Sequence, residues 1–143
     1  MSESRFAQLP AHEQEMIVFH LRLLKQSYEA FRAKEPFNEQ PLGHDEIAFL
    51  ASFEQLIKNM VALDPNHVFL GQQLVTQQIS KYPEHTECWA RDLFWYFGGD
   101  CLHYMPDDEI EKFQKLDDAK HEAISEGRQF DREKVRNRIL GLH

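Results

Sequence analysis

Cysteine, glycine and proline are scarce in this chain of 143 residues, at two, six and six. Two thiols, Cys88 and Cys101, cannot build the disulfide framework of a small secreted domain, and in a reducing compartment they stay thiols or bind metal. Long apolar runs are missing too. Leu93-Phe94-Trp95-Tyr96-Phe97 falls far short of the roughly 20 residues that cross a bilayer. The opening Met1-Ser2-Glu3-Ser4-Arg5-Phe6-Ala7-Gln8 has no uninterrupted apolar stretch of the kind a signal peptide needs. The expectation is a soluble protein of the cytoplasm with no membrane partner. Walker, G-x-G-x-x-G and G-x-S-x-G patterns are absent, which removes the usual supports of a nucleotide or hydrolase reading.

What is present suits a packed domain. Hydrophobic residues make up 42% of the chain, Phe, Tyr and Trp among them, enough apolar surface to offset chain entropy. The length is that of one domain, 1–143. Net charge is -8, unevenly spread. Residues 84–126 carry twelve Asp/Glu against four Lys/Arg, and residues 128–143 five Lys/Arg against two Asp/Glu. An acidic middle argues against nucleic-acid binding over the whole surface and leaves a local contact by the basic tail as the alternative. In the basic tail Asp131 and Glu133 interrupt Arg128, Arg132, Lys134, Arg136 and Arg138, whose place near a helix end is explained by the helix dipole.

No stretch alternates apolar and polar residues, so no strand is expected, and the apolar spacing predicts about six helices. The first follows Pro10 to about Lys34 on a stripe of Ile17, Leu21, Leu24, Tyr28 and Phe31. A connector with Pro36 and Pro41 leads to a second, about Asp45 to Leu63, on Ile47, Leu50, Phe53, Leu56 or Ile57, Met60 and Val61. Asp64 or Asn66 caps a third, about His67 to Lys81, which Gly71 weakens. Pro83 opens a fourth that runs to Phe97, where Gly98-Gly99 ends it. After a loop, Asp100 to Met105, a fifth runs from Pro106 to Glu126 on Ile110, Phe113, Leu116, Ala119 or the stem of Lys120, Ala123 and Ile124. Asp131 caps the sixth. Short connections favour antiparallel neighbours, hence an all-α, single-domain bundle of helical hairpins.

Chemistry concentrates in Tyr82 to Tyr104, where seven of seventeen aromatics meet both cysteines and two histidines. His85-x-x-Cys88 and Cys101-x-His103 are a candidate zinc set, since residues three apart on a helix face one point and a glycine reversal returns the second pair. Against it stand the roughly 14 Å that Cys101 must travel back along a continuous helix and the close Cys-x-His spacing. The plainer expectation is a buried Cys88 and partly exposed histidines. Cys101 after a glycine pair is also a candidate thiol nucleophile, given an adjacent base or helix N-terminus. His12-x-x-Glu15 and Asp118-x-x-His121 resemble halves of a di-metal bundle site, but the acids fall largely on polar faces. His20 sits at the margin of the first stripe as a satisfied boundary histidine.

The run Leu93 to Phe97 is apolar on every side of its helix, so that helix is either central to the core or turns one side to a partner subunit or an apolar ligand. Trp89, Phe94, Trp95, Phe97 and Tyr104 are the interface or ligand candidates. No catalytic residue and no cofactor is assigned, with zinc as the alternative. The expected function is a non-enzymatic interaction or regulatory module that self-associates or binds another protein. The alternatives are the metal or thiol site and an apolar small-molecule site beside helix four.

Cys88 to Pro106, reading CWARDLFWYFGGDCLHYMP, resembles the central stretch of a small uncharacterised helical protein family of pseudomonads and related bacteria. The resemblance implies similar length over the whole chain and carries no mechanism with it.

Overall fold

The computed structural model describes residues 5–141. Residues 1–4 of the opening stretch considered above lie outside them, as do residues 142 and 143. Among the described residues the fold is all-α, without a strand. The main helices are α1 (Ala11–Arg32), α2 (His44–Val61), α3 (His67–Lys81), α4 (Arg91–Phe97), α5 (Asp107–Ser125) and α6 (Arg132–Leu140), with short 3-10 helices at Phe6–Gln8, Pro83–Cys88 and Gly99–Tyr104. No helix among them is long and apolar enough to cross a membrane. The chain divides into two compact units, with the boundary between Cys101 and Leu102.

In the first unit α1 packs on α2, α2 on α3 and α3 on α4, while α1 also meets α4 and the Pro83–Cys88 segment. These extra neighbours widen the buried arc of α1 to Phe19, His20, Leu23, Leu24, Ser27 and Phe31. Of the expected stripe only Leu24 and Phe31 are fully covered; Ile17, Leu21 and Tyr28 are half-buried at its flanks. On α2 the buried face is Phe49, Leu50, Phe53, Leu56 and Met60, whereas Ile47 and Val61, expected inside, are more than half exposed. Both lie off the arc centred on Phe53, at 100° per residue. Phe37, in the Pro36–Pro41 connector, is buried against Phe31, Phe49 and Tyr82.

Helix α3 has the expected bounds, and its cap differs in kind. The Asn66 side chain does not cap; the Asp64 carboxylate accepts from the Asn66 N–H at 2.9 Å instead, as an Asx turn. Gly71 has a packing reason, because a Cβ there would stand 2.4 Å from the Phe97 ring.

The expected fourth helix is broken in two. Pro83–Cys88 is 3-10, Trp89 and Ala90 are extended, and α4 begins at Arg91. Side-chain partners outbid helix continuity: the Trp89 indole is buried and donates to Gln78, and the Ala90 N–H donates to the Ser27 hydroxyl. Asp100 to Met105, expected as a loop, is largely 3-10 helix. In the second unit α5 and α6 pack on each other, with Phe113, Leu116 and Ala123 buried on α5 and Ile124 left exposed. The Asp131 carboxylate caps α6 by accepting from the Lys134 N–H at 3.1 Å.

Candidate functional site

The aromatic run of α4 is spent mainly on the core. Leu93, Phe94 and Phe97 are buried; Trp95 is half-buried. Trp89 stacks on Phe53 with ring centres 5.0 Å apart and meets Phe31 edge-on at 5.3 Å. Its Nε1–H donates to Gln78 Oε1 at 2.8 Å, and the Gln78 amide donates to the Tyr82 carbonyl and the Thr86 hydroxyl. Of the five aromatic candidates only Tyr104, in the second unit, is exposed.

Among the described residues no three His, Cys, Asp or Glu side chains gather as a metal-binding group. His85 Nε2 donates to the Glu35 carbonyl, which takes that nitrogen out of use as a ligand. The Pro83–Cys88 segment is kinked at His85 (φ -112°, ψ 18°), so no regular helical turn aligns His85 with Cys88. Cys101 is fully buried, and its pKa is pushed up to about 11 by burial and then by the neighbouring Asp100 carboxylate. Burial and Glu87 push Cys88 up as well. Thiolate is the ligand and the nucleophile, so both thiols are shifted away from either chemistry. His12 and Glu15 are half-buried on α1, while Asp118 and His121 are exposed on α5 in the other unit.

The first unit holds a cleft of about 530 Å³ elsewhere. Leu9, Met16, Ile17, Met60 and Leu63 form its apolar wall, drawn from the chain before α1, from α1 itself and from the end of α2. Gln8 adds a carboxamide, and Arg5 and Glu13 add one charge of each sign. The polar feature is a pair, His67 at the start of α3 and Tyr96 on α4, whose side chains are joined by a 2.8 Å hydrogen bond and both line the cleft. His67 Nδ1 lies 2.7 Å from the Asp64 carbonyl. A carbonyl only accepts, so Nδ1 carries the proton, and in the neutral ring Nε2 accepts the Tyr96 O–H.

Tyr96 stacks on two histidines. Its ring stacks on His20 at 4.4 Å and 23° and on His67 at 5.7 Å and 30°. His20 is itself buried and donates from Nδ1 to the Met16 carbonyl at 2.7 Å, the satisfied histidine that its position predicts. Burial raises the Tyr96 pKa to about 12, which keeps the phenol protonated.

A model of the PA2817-like family matches residues 12–143. The chain belongs to that family. This agrees with the resemblance carried by residues 88–106. Comparison with curated proteins and with solved structures gives no match. The PA2817-like region takes in Glu13, Met16, Ile17, His67 and Tyr96, whereas Arg5 and Leu9 precede it. Most of the cleft therefore lies within the matched region.

His67 and Tyr96 have no counterpart among the sequence-derived candidates. They are 29 residues apart, and no spacing rule joins positions that far apart. The legible hints are local: a histidine directly after the turn Asp64-Pro65-Asn66, and a tyrosine in an otherwise non-polar run.

Proposed function

We propose that this protein is a non-enzymatic binding module that seats the apolar part of a guest in the cleft bordered by Met16, Ile17, Met60 and Leu63. One observation carries the reading: an apolar wall meets an oriented, hydrogen-bonded polar pair, His67–Tyr96, within the roughly 300–1,000 Å³ typical of small-molecule sites. The reading needs no metal or activated thiol. Because α1, α2, α3 and α4 all supply wall residues, a guest ties them together and stabilises the folded state by mass action.

The test is titration with Nile red, an uncharged dye that fluoresces in apolar surroundings, of wild-type protein and of Ile17→Trp, which fills the cleft. Saturable binding at one site per chain and a loss of at least about 10-fold in the variant, roughly one well-placed apolar group, are expected. Equal dye affinity in the two proteins would overturn the proposal. Self-association is a second reading, favoured by four large apolar side chains of the first unit, Val18, Ile47, Val61 and Phe69, each more than half exposed. Sedimentation velocity over a wide concentration range is expected to show a dimer, and a constant monomer mass would end that reading.

A further inference from the structure

We infer that the guest of this cleft is an uncharged, mainly apolar molecule that presents a hydrogen-bond donor, a hydroxyl or N–H, to the Tyr96 oxygen. The inference rests on the cleft being the binding site.

A phenol has one proton to donate and an oxygen that also accepts. The Asp64 carbonyl fixes the His67 proton on Nδ1, and His67 Nε2 then takes the Tyr96 O–H. Tyr96's only donor is used within the protein. What the phenol still offers is acceptor capacity, at a ring that stacking on His20 and His67 holds in place. At the Tyr96 oxygen an acceptor group therefore meets an acceptor and loses its water without compensation, whereas a donor group completes the chain from guest to Tyr96 to His67 to Asp64, leaving Gln8 and Arg5 at the N-terminal side as the other polar lining.

Charge complementarity favours no guest of a single net charge. Arg5 and Glu13 both line the cleft with opposite signs, so an anion gains the guanidinium and meets the carboxylate, and a cation does the reverse. The rest of the lining is predominantly apolar and would leave a charge poorly solvated. A small alcohol, phenol or N–H heterocycle with an apolar body fits wall, volume and acceptor together.

Calorimetric titration with para-butylphenol, its donor-free methyl ether para-butylanisole, and anionic para-butylbenzoate tests this. In wild-type protein the phenol should bind about 10-fold tighter than the anisole, the value of one good hydrogen bond, and the benzoate most weakly. Tyr96→Phe should equalise phenol and anisole. His67→Ala, which preserves the Tyr96 ring, frees the Tyr96 O–H and should narrow the gap by improving the anisole. A role of these residues in folding alone would weaken all three ligands in parallel and overturn the inference. Equal wild-type affinity for phenol and anisole, or tightest binding of the benzoate, also overturns it while leaving the cleft as a site. Failure of all three ligands, with Nile red indifferent to Ile17→Trp, overturns both.

Discussion

Trp89 and Tyr96 stand seven positions apart in one aromatic segment, and their surroundings are opposite. The Trp89 indole N–H meets Gln78, whose amide donates onward to Tyr82 and Thr86, all around a glutamine side chain that water does not reach. Every polar atom in that chain is answered from within, so the network locks the Pro83–Cys88 segment and the core to one arrangement. The Tyr96 hydroxyl is also answered, by His67, but the pair borders a cleft. A closed network holds a fold together; a network that ends at a cleft wall leaves an acceptor for something else. The difference lies in what packs on each ring: Phe31 and Phe53 cover Trp89, while Tyr96 stacks on two histidines.

The contrast should appear first in stability. Trp89→Ala empties a fully packed site and should cost about 3–5 kcal/mol in denaturant unfolding; a loss below about 1 kcal/mol would erase the distinction. Gly71→Ala comes next. The new methyl runs into the buried Phe97 ring, and overpacking of about 1–3 kcal/mol should exceed the gain of up to about 1 kcal/mol from replacing a helical glycine. Tyr96→Phe keeps the ring and removes one hydrogen bond, so about 0.5–1.5 kcal/mol is expected. A cost as large as that of Trp89→Ala would show Tyr96 to be core rather than wall.

Alkaline titration separates the regions further. Folding raises the Tyr96 pKa from 10.0 to about 12 through burial. The folded state thus favours the protonated phenol, and this contribution is complete below pH 10 and lost as the pH climbs from 10 to about 12. Cys101, raised from 9.0 to about 11 by burial and Asp100, adds an earlier loss between those values. Tyr96→Phe should make the upper part of the stability curve less steep, with Tyr82, raised by burial and its hydrogen bond to Glu46, still contributing there, and Cys101→Ala should flatten the lower part, as read by chemical unfolding at a series of pH values. A Tyr96→Phe curve that falls as steeply as wild type above pH 10 would contradict burial of the phenol.

Much of the fold is written locally. The bounds of α3 and the ends of α1, α2 and α5 follow from apolar period, prolines and glycines, and Asp131 caps α6 where its side chain and spacing require. The break at Trp89 was not legible, because nothing near it opposes helix. It arises from Gln78 and Ser27, distant in the chain, which supply better partners for the indole and the Ala90 N–H than a continued helix does. The same holds for the cleft. His85, Cys88, Cys101 and His103 suggest chemistry by adjacency, yet among the described residues no three such side chains gather as a metal-binding group, and the thiols are driven toward their neutral forms.

The sequence by itself determined that this chain is helical, where most helices begin and end, and that an aromatic segment lies at its centre. Those properties depend on spacings of three or four residues and on single capping groups. Tertiary structure alone decided which aromatic is sealed and which borders a cleft. That choice depends on whether a ring's polar atom meets a partner inside the core, as Trp89 meets Gln78, or at its edge, as Tyr96 meets His67.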